Sequence, residues 1–157
     1  MGKRMKQIKL TIPKIPPSIN SAYIRTKFGS RIINREGKEF KKLVKKCIEN
    51  QIKEDKYPVF DSYVQVDIKF FVSPAYKYTD SDIDNRLKIL MDAIEDKVCV
   101  KRKYTYYGKI FKDDKQIDKL IVERIIDYRY HRTEITITEH IRKIIRYRKV
   151  TEQTELI

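Results

Sequence analysis

A chain of 157 residues with a hydrophobic fraction of 41% fits one compact domain, which argues against a second full domain and against global disorder. Its 36 Lys and Arg against 22 Asp and Glu leave a net charge of +14. Such an excess points to a polyanionic partner, because phosphates release condensed counterions when cations neutralise them; the lysine-rich usage of an AT-rich genome is the plainer source of the same charge.

No stretch approaches the roughly 20 apolar residues that cross a bilayer, and the basic start MGKRMKQIKL lacks the apolar run of a signal peptide. Cys47 and Cys99 are the two cysteines, with no CxxC or Cys/His spacing, so neither a disulfide framework nor a thiolate metal site is expected. The expectation is a cytoplasmic protein with no membrane attachment.

Residues 5–12 alternate, with Ile8, Leu10 and Ile12 on one side, and predict a strand that Pro13, Pro16 and Pro17 stop. Residues 18–35 carry Asn20, Tyr23, Arg25, Lys27, Arg31 and Arg35 around Gly29 and read as a basic loop. The stripe Phe40, Leu43, Val44, Cys47, Ile48 and Ile52 predicts a helix over 36–53 with lysines on its flanks. Val64, Val66, Ile68, Phe70 and Val72 alternate with polar or aromatic neighbours, the clearest strand in the chain.

A second helix is predicted over 82–96 from Ile83, Leu87, Leu90, Met91 and Ile94. Residues 97–112 are basic and aromatic, a loop or short hairpin around Gly108. Residues 116–126 are apolar on both faces, as in a central strand, and 133–138 alternate again; the two are expected to form a hairpin. A basic helix is a candidate over 140–149, and His131 and His140 read as surface residues. The order predicts a single α+β domain, a mixed sheet of about four strands flanked by two helices.

The informative stretch is Asp80-Ser-Asp82-Ile-Asp84-Asn85-Arg-Leu-Lys88-Ile-Leu-Met-Asp92, where alternation gives way to a helix. Asp82 and Asp84 can converge there with Ile83 turned to the core, and close carboxylates repel unless a cation lies between them. Oxygen-only ligands suit Mg²⁺ or Mn²⁺. Lys88 lies four residues after Asp84 on the same face, in position to hold a phosphate or stabilise a leaving oxygen. Asp113-Asp114, just before a strand, offers a third carboxylate. Plainer roles stand beside these: Asp80, Ser81 or Asp82 as a helix cap, Asp84–Lys88 as a surface pair, and Asp113-Asp114 as a turn.

At these residues the chain resembles the RusA family of Holliday-junction endodeoxyribonucleases. The matching motifs are Pro16-Pro17-Ser18-Ile19-Asn20, then Asp82-Ile-Asp84-Asn85-Arg-Leu-Lys88 with Asp92-Ala93, then Asp113-Asp114-Lys-Gln-Ile117, and the closing strand at 135–139. The resemblance implies a nuclease domain over 1–139, followed by a basic extension over 140–157. It implies that Asp82, Asp84 and Asp114 bind Mg²⁺ (or Mn²⁺), with Asp113 the less favoured of its pair, and that Lys88 is catalytic. Asn85 and Asp92 would support the site, and Asn20, Arg25, Lys27, Arg31, Lys101, Arg102 and Lys103 would meet DNA. It also implies a homodimer making paired nicks across a four-way or branched DNA junction, with 5′-phosphate products and no small-molecule cofactor. The interval from Asp92 to Asp113 is longer than in compact members, which leaves the register of the Asp113-Asp114 pair open.

Overall fold

The computed structural model describes residues 2, 4–75, 82–95, 97–100, 103–106 and 108–146, with 97–100 and 103–106 as backbone alone. In chain order the elements are β1 (Gln7–Ile12), α1 (Ile19–Ala22), β2 (Tyr23–Arg25), β3 (Arg31–Ile33), α2 (Arg35–Gln51), β4 (Val64–Val72), α3 (Asp84–Glu95), β5 (Lys97–Val100), β6 (Lys103–Tyr106), β7 (Ile117–Ile126) and β8 (Arg132–Glu139). This is the mixed four-stranded α+β architecture that the alternation and helical stripes predict.

Four strands form the main sheet in the order β1-β8-β4-β7. One face is apolar: Leu10, Val66, Ile68, Phe70, Ile135 and Ile137 are buried beneath Phe40, Val44 and Ile48 of α2 and Ile89, Leu90 and Ile94 of α3. Each such side chain contributes about 1.5–3 kcal/mol on leaving water. The alternate positions of β1, Gln7, Lys9 and Thr11, are exposed, so the helices cover one side of the sheet.

The last two long strands do not form the expected hairpin. β4, α3 and β7 form a crossover unit that sets β7 parallel to β4, and β8 pairs antiparallel with β4 on its other side. The chain between them passes over the end of β4, where the Asp127 N–H donates to the Val72 carbonyl at 3.0 Å. Arg132 secures the passage: it donates to Asp127 at 2.8 Å and to Glu134 at 2.7 Å, and its guanidinium lies 3.8 Å from the Phe71 ring centre. These partners hold the Asp127 carboxyl well below its ordinary range, the Arg129 hydrogen bond most of all. As a second consequence β7, predicted to be central, lies at the sheet edge.

Residues 18–35 hold more structure than a loop. Ser18 caps the single turn of α1 by accepting from the Ser21 N–H, and β2 and β3 pair as a hairpin around Gly29, whose φ of 82° favours glycine. Residues 140–146 are not helical, contrary to the expected basic helix, the remainder of which lies outside the described residues. Arg142 explains this stretch, since a fork to both oxygens of Asp118 at 2.7 Å and a bond to the Tyr63 hydroxyl hold it against the sheet. His131 and His140 are half-buried.

Candidate active site

The first half of the site grows from α3. Its apolar positions Ile89, Leu90, Ala93 and Ile94 are buried, which turns Asp84 and Lys88 outward. Asp82 is exposed just ahead of the helix and accepts from the Asn85 amide at 3.2 Å. Asp84 opens the first turn, where the helix dipole favours an anion. The expected Asp84–Lys88 neighbour pair gives way to another: Lys88 donates to Asp92 Oδ1 at 3.0 Å. The other oxygen of Asp92 accepts from the Tyr23 hydroxyl at 2.9 Å. Burial, reinforced by the Asp92 carboxylate, pushes the Tyr23 pKa up to about 12. Lys88, Asp92 and Tyr23 thus form one chain of bonds that orients the lysine.

Two motifs distant in sequence meet here. Buried Arg86, inside the acidic motif, donates to the Pro16 carbonyl at 2.5 Å. The Pro-Pro-Ser-x-Asn segment is therefore fixed to α3, with Asn20 exposed on α1 and the β2–β3 hairpin following it.

The second half lies at the other end of α3. Glu95, 2% exposed, accepts from the Asp114 N–H at 2.7 Å. Ligand oxygens of Glu95, Asp113 and Asp114 lie within 4.8 Å of one another, a carboxylate group able to hold a hard cation. The turn that carries it is stiff. Asp113 caps it by accepting from the Lys115 N–H at 2.9 Å, and Gln116 accepts from Lys112 and Asp113 while donating to the Phe60 and Ser62 carbonyls. One oxygen of Asp113 is engaged in the cap, and Asp114 beside it is exposed.

The long interval before this turn is absorbed by β5 and β6, which pair with each other from Lys97↔Tyr106 to Val100↔Lys103. Beyond them Gly108 rejoins the body of the protein. A Cβ there would meet the Phe111 carbonyl oxygen at 2.1 Å and that of Glu95 at 3.2 Å, and Val59 and Phe60 donate to the Lys109 and Ile110 carbonyls. From Gly108 onward the path to Asp113 and Asp114 is fixed by contacts of its own.

The two halves are not together in one chain. Twelve helical residues span about 16 Å from Asp84 to Glu95, and Asp82 and Asp84 are not part of the carboxylate group at Asp114. Among the cations expected to meet DNA, Arg25, Lys27 and Arg31 are exposed on the β2–β3 hairpin. Lys103 starts β6; Lys101 and Arg102, like Asp80 and Ser81, lie outside the described residues. Sequence reading passed over Glu95, whose one signal is an acid directly after Ile94 on the apolar stripe. It also passed over Phe28, 95% exposed at the hairpin tip between Lys27 and Gly29.

The family model described as endodeoxyribonuclease RusA matches residues 14–138, from the segment held by Arg86 to the end of β8. A comparison with curated proteins gives no match. No helix among the described residues is long and apolar enough to cross a membrane. The chain belongs to the RusA family of endodeoxyribonucleases, enzymes that hydrolyse DNA phosphodiester bonds and act on Holliday junctions.

Proposed function

We propose that the chain is a Mg²⁺-dependent endonuclease that resolves four-way DNA junctions by paired nicks as a homodimer, with Asp82, Asp84 and Asp114 holding the cation. The observation that carries the reading is the carboxylate group at the Asp113–Asp114 turn, stiffened by Glu95 and Gln116. All-oxygen donors of this kind fit Mg²⁺ or Mn²⁺ better than softer metals. Bound there, such a cation supplies an activated water and polarises the phosphodiester.

The chain's own residues position the DNA. Lys88, oriented by Asp92 and Tyr23, meets the phosphate and stabilises charge on the leaving oxygen. Asn85 holds Asp82 in place. Arg25, Lys27 and Arg31 track backbone phosphates by shape, Asn20 borders the same surface, and Lys101, Arg102 and Lys103 extend it.

A helix length separates Asp82 and Asp84 from Asp114 in one chain, so the three meet when two copies combine: Asp82 and Asp84 of one, Asp114 of the other. A second reading gives the cation to Glu95, Asp113 and Asp114 alone, which one chain already gathers within 4.8 Å. Mixed dimers of Asp82→Asn and Asp114→Asn separate the two. In the shared-site reading each variant alone is inactive and the mixture regains one intact centre, nicking one strand of a synthetic junction. In the single-chain reading Asp82→Asn cuts unaided. Equal cutting of flaps, forks and junctions would replace junction resolution by a broader nuclease activity.

A further inference from the structure

The family match ends at residue 138, and the basic segment beyond it has no part in the function proposed above. Residues 140–149 read His-Ile-Arg-Lys-Ile-Ile-Arg-Tyr-Arg-Lys, with cations at 142, 143, 146, 148 and 149. The start of this segment is held at two points. The His140 N–H donates to the Tyr63 carbonyl at 2.8 Å. Arg142 then forks to Asp118, with its guanidinium 3.5 Å from the Tyr63 ring centre.

Asp118 is available for this because the ladder shifts register. Ile117 pairs with Val64 and Lys119 with Gln65, so Asp118 is an extra residue of β7 without a partner on β4. Bulges of this kind re-aim a side chain. Here the carboxylate meets Arg142, and the Asp118 side chain keeps only 16% of its surface in water.

The fork lies in a groove of about 440 Å³, lined by Asp118, Lys119, His140, Arg142 and Lys143. Asp118 is the one acid in that lining, and Arg142 engages both of its oxygens. Lys119 and Lys143, both exposed, are therefore left with no anion of the groove's own to balance them. Two ammonium groups beside one recess repel each other, and an anion between them relieves the repulsion. An Arg–Asp staple for the tail would need neither lysine.

The substrate brings such an anion close. The four residues from Asp114 to Asp118 reach at most about 14 Å, and the turn at Asp114–Gln116 shortens that reach. Phosphates of one DNA strand recur every ~3.4 Å of helix axis. The groove thus lies within about four nucleotides of a phosphate at Asp114.

We infer that Lys119 and Lys143 grip backbone phosphates of a DNA arm beside the cut, with Arg142 as the positioning residue that sets Lys143 in place. The inference rests on cleavage at Asp114 and adds a contact separate from the β2–β3 hairpin. Arg142 and Lys143 stand outside the matched family core, so the contact is an addition made by this chain. Ile141, Ile144 and Ile145 stay exposed around them, which makes an anionic lipid surface the competing occupant.

The test is binding of a synthetic four-way junction by the full-length protein, without divalent metal, at several salt concentrations, with circular dichroism on each variant. Lys119→Gln/Lys143→Gln is expected to lower the slope of log K against log salt by about 1.8, at 0.9 per phosphate. It is also expected to abolish phosphate-ethylation interference within about four nucleotides of the phosphate cut in Mg²⁺. Arg142→Ala, in which Lys143 loses its place, is expected to show about half of that change in slope. Lys42→Gln/Lys46→Gln removes the same charge from exposed positions of α2 and is expected to leave the slope as in wild type. Equal slopes for wild type and the groove variant overturn the inference alone, and an equal drop in the α2 control overturns it in favour of net charge. A wild type that binds no junction overturns the nuclease reading with it. Anionic phospholipid vesicles bound through Lys119 and Lys143, with junction binding unchanged in the variant, would give the groove to lipid instead.

Discussion

The Asp114 N–H donates to the buried Glu95 carboxylate over 2.7 Å, tying the end of α3 to the acidic turn before β7. Losing this acceptor leaves the half-buried Asp114 N–H without its charged partner, at a cost of about 1–3 kcal/mol. Glu95→Ala is therefore expected to lose that much in urea denaturation and to bind Mn²⁺ more weakly by calorimetry. Glu95→Gln keeps an acceptor oxygen and is expected to recover most of the stability. Wild-type stability and metal binding in Glu95→Ala would remove Glu95 from this role.

Asp113 and Asp114 are adjacent but do different work. Asp113 caps the turn through the Lys115 N–H, so Asp113→Asn, which keeps a capping oxygen, is expected to fold and cut nearly as wild type. Asp113→Ala costs about 1 kcal/mol of stability. Asp114→Asn is expected to keep its stability and lose metal-dependent cleavage. Thermal melts beside a junction assay distinguish the pair, and the reverse pattern would exchange their roles.

Tyr23 ties the acid–lysine chain to the hairpin and ionises at about 12. Its folded pKa lies above the unfolded value near 10. Its contribution to stability is thus complete below pH 10 and lost as pH rises from there toward 12. Ultraviolet titration is expected to show a late phenol signal that Tyr23→Phe lacks, and the stability of that variant should fall less steeply across that window. If Lys88 needs this orientation, Tyr23→Phe also lowers kcat more than it raises KM.

Phe28 stands at the tip of a hairpin bearing Arg25, Lys27 and Arg31. An aromatic ring stacked on a base is worth about 1–3 kcal/mol. Phe28→Ala is expected to weaken junction binding by that amount without altering its salt dependence. Lys27→Ala or Arg31→Ala is expected to reduce the slope of log K against log salt by about 0.9 each. Binding curves at several salt concentrations give both quantities.

Local patterns carried much of this architecture. The alternation in β1, β4 and β8 and the stripes of α2 and α3 report which faces are buried, because side-chain period follows backbone period. Non-local facts were not legible. Pairing of β7 with β4 instead of β8 depends on the α3 crossover, and no feature of residues 116–133 records it. The tail resisted reading for a similar reason: Ile141, Ile144 and Ile145 have helical spacing, but the Arg142 fork to Asp118 overrides it. The motifs containing Asp82, Asp84, Lys88 and Asp114 were visible as residue types at fixed spacing. That Lys88 bonds Asp92, and that Glu95 holds Asp114, depends on how α3 packs against segments 23 and 114.

The central claim is metal-dependent cleavage of branched DNA through Asp82, Asp84 and Asp114. The most direct measurement incubates a synthetic four-way junction with wild type and with Asp82→Asn in Mg²⁺, and resolves the strands on a denaturing gel. The account predicts paired nicks across the junction with 5′-phosphate ends for wild type, and binding without cleavage for the variant. Undiminished cleavage by Asp82→Asn, or binding without cleavage by wild type in both Mg²⁺ and Mn²⁺, would contradict it.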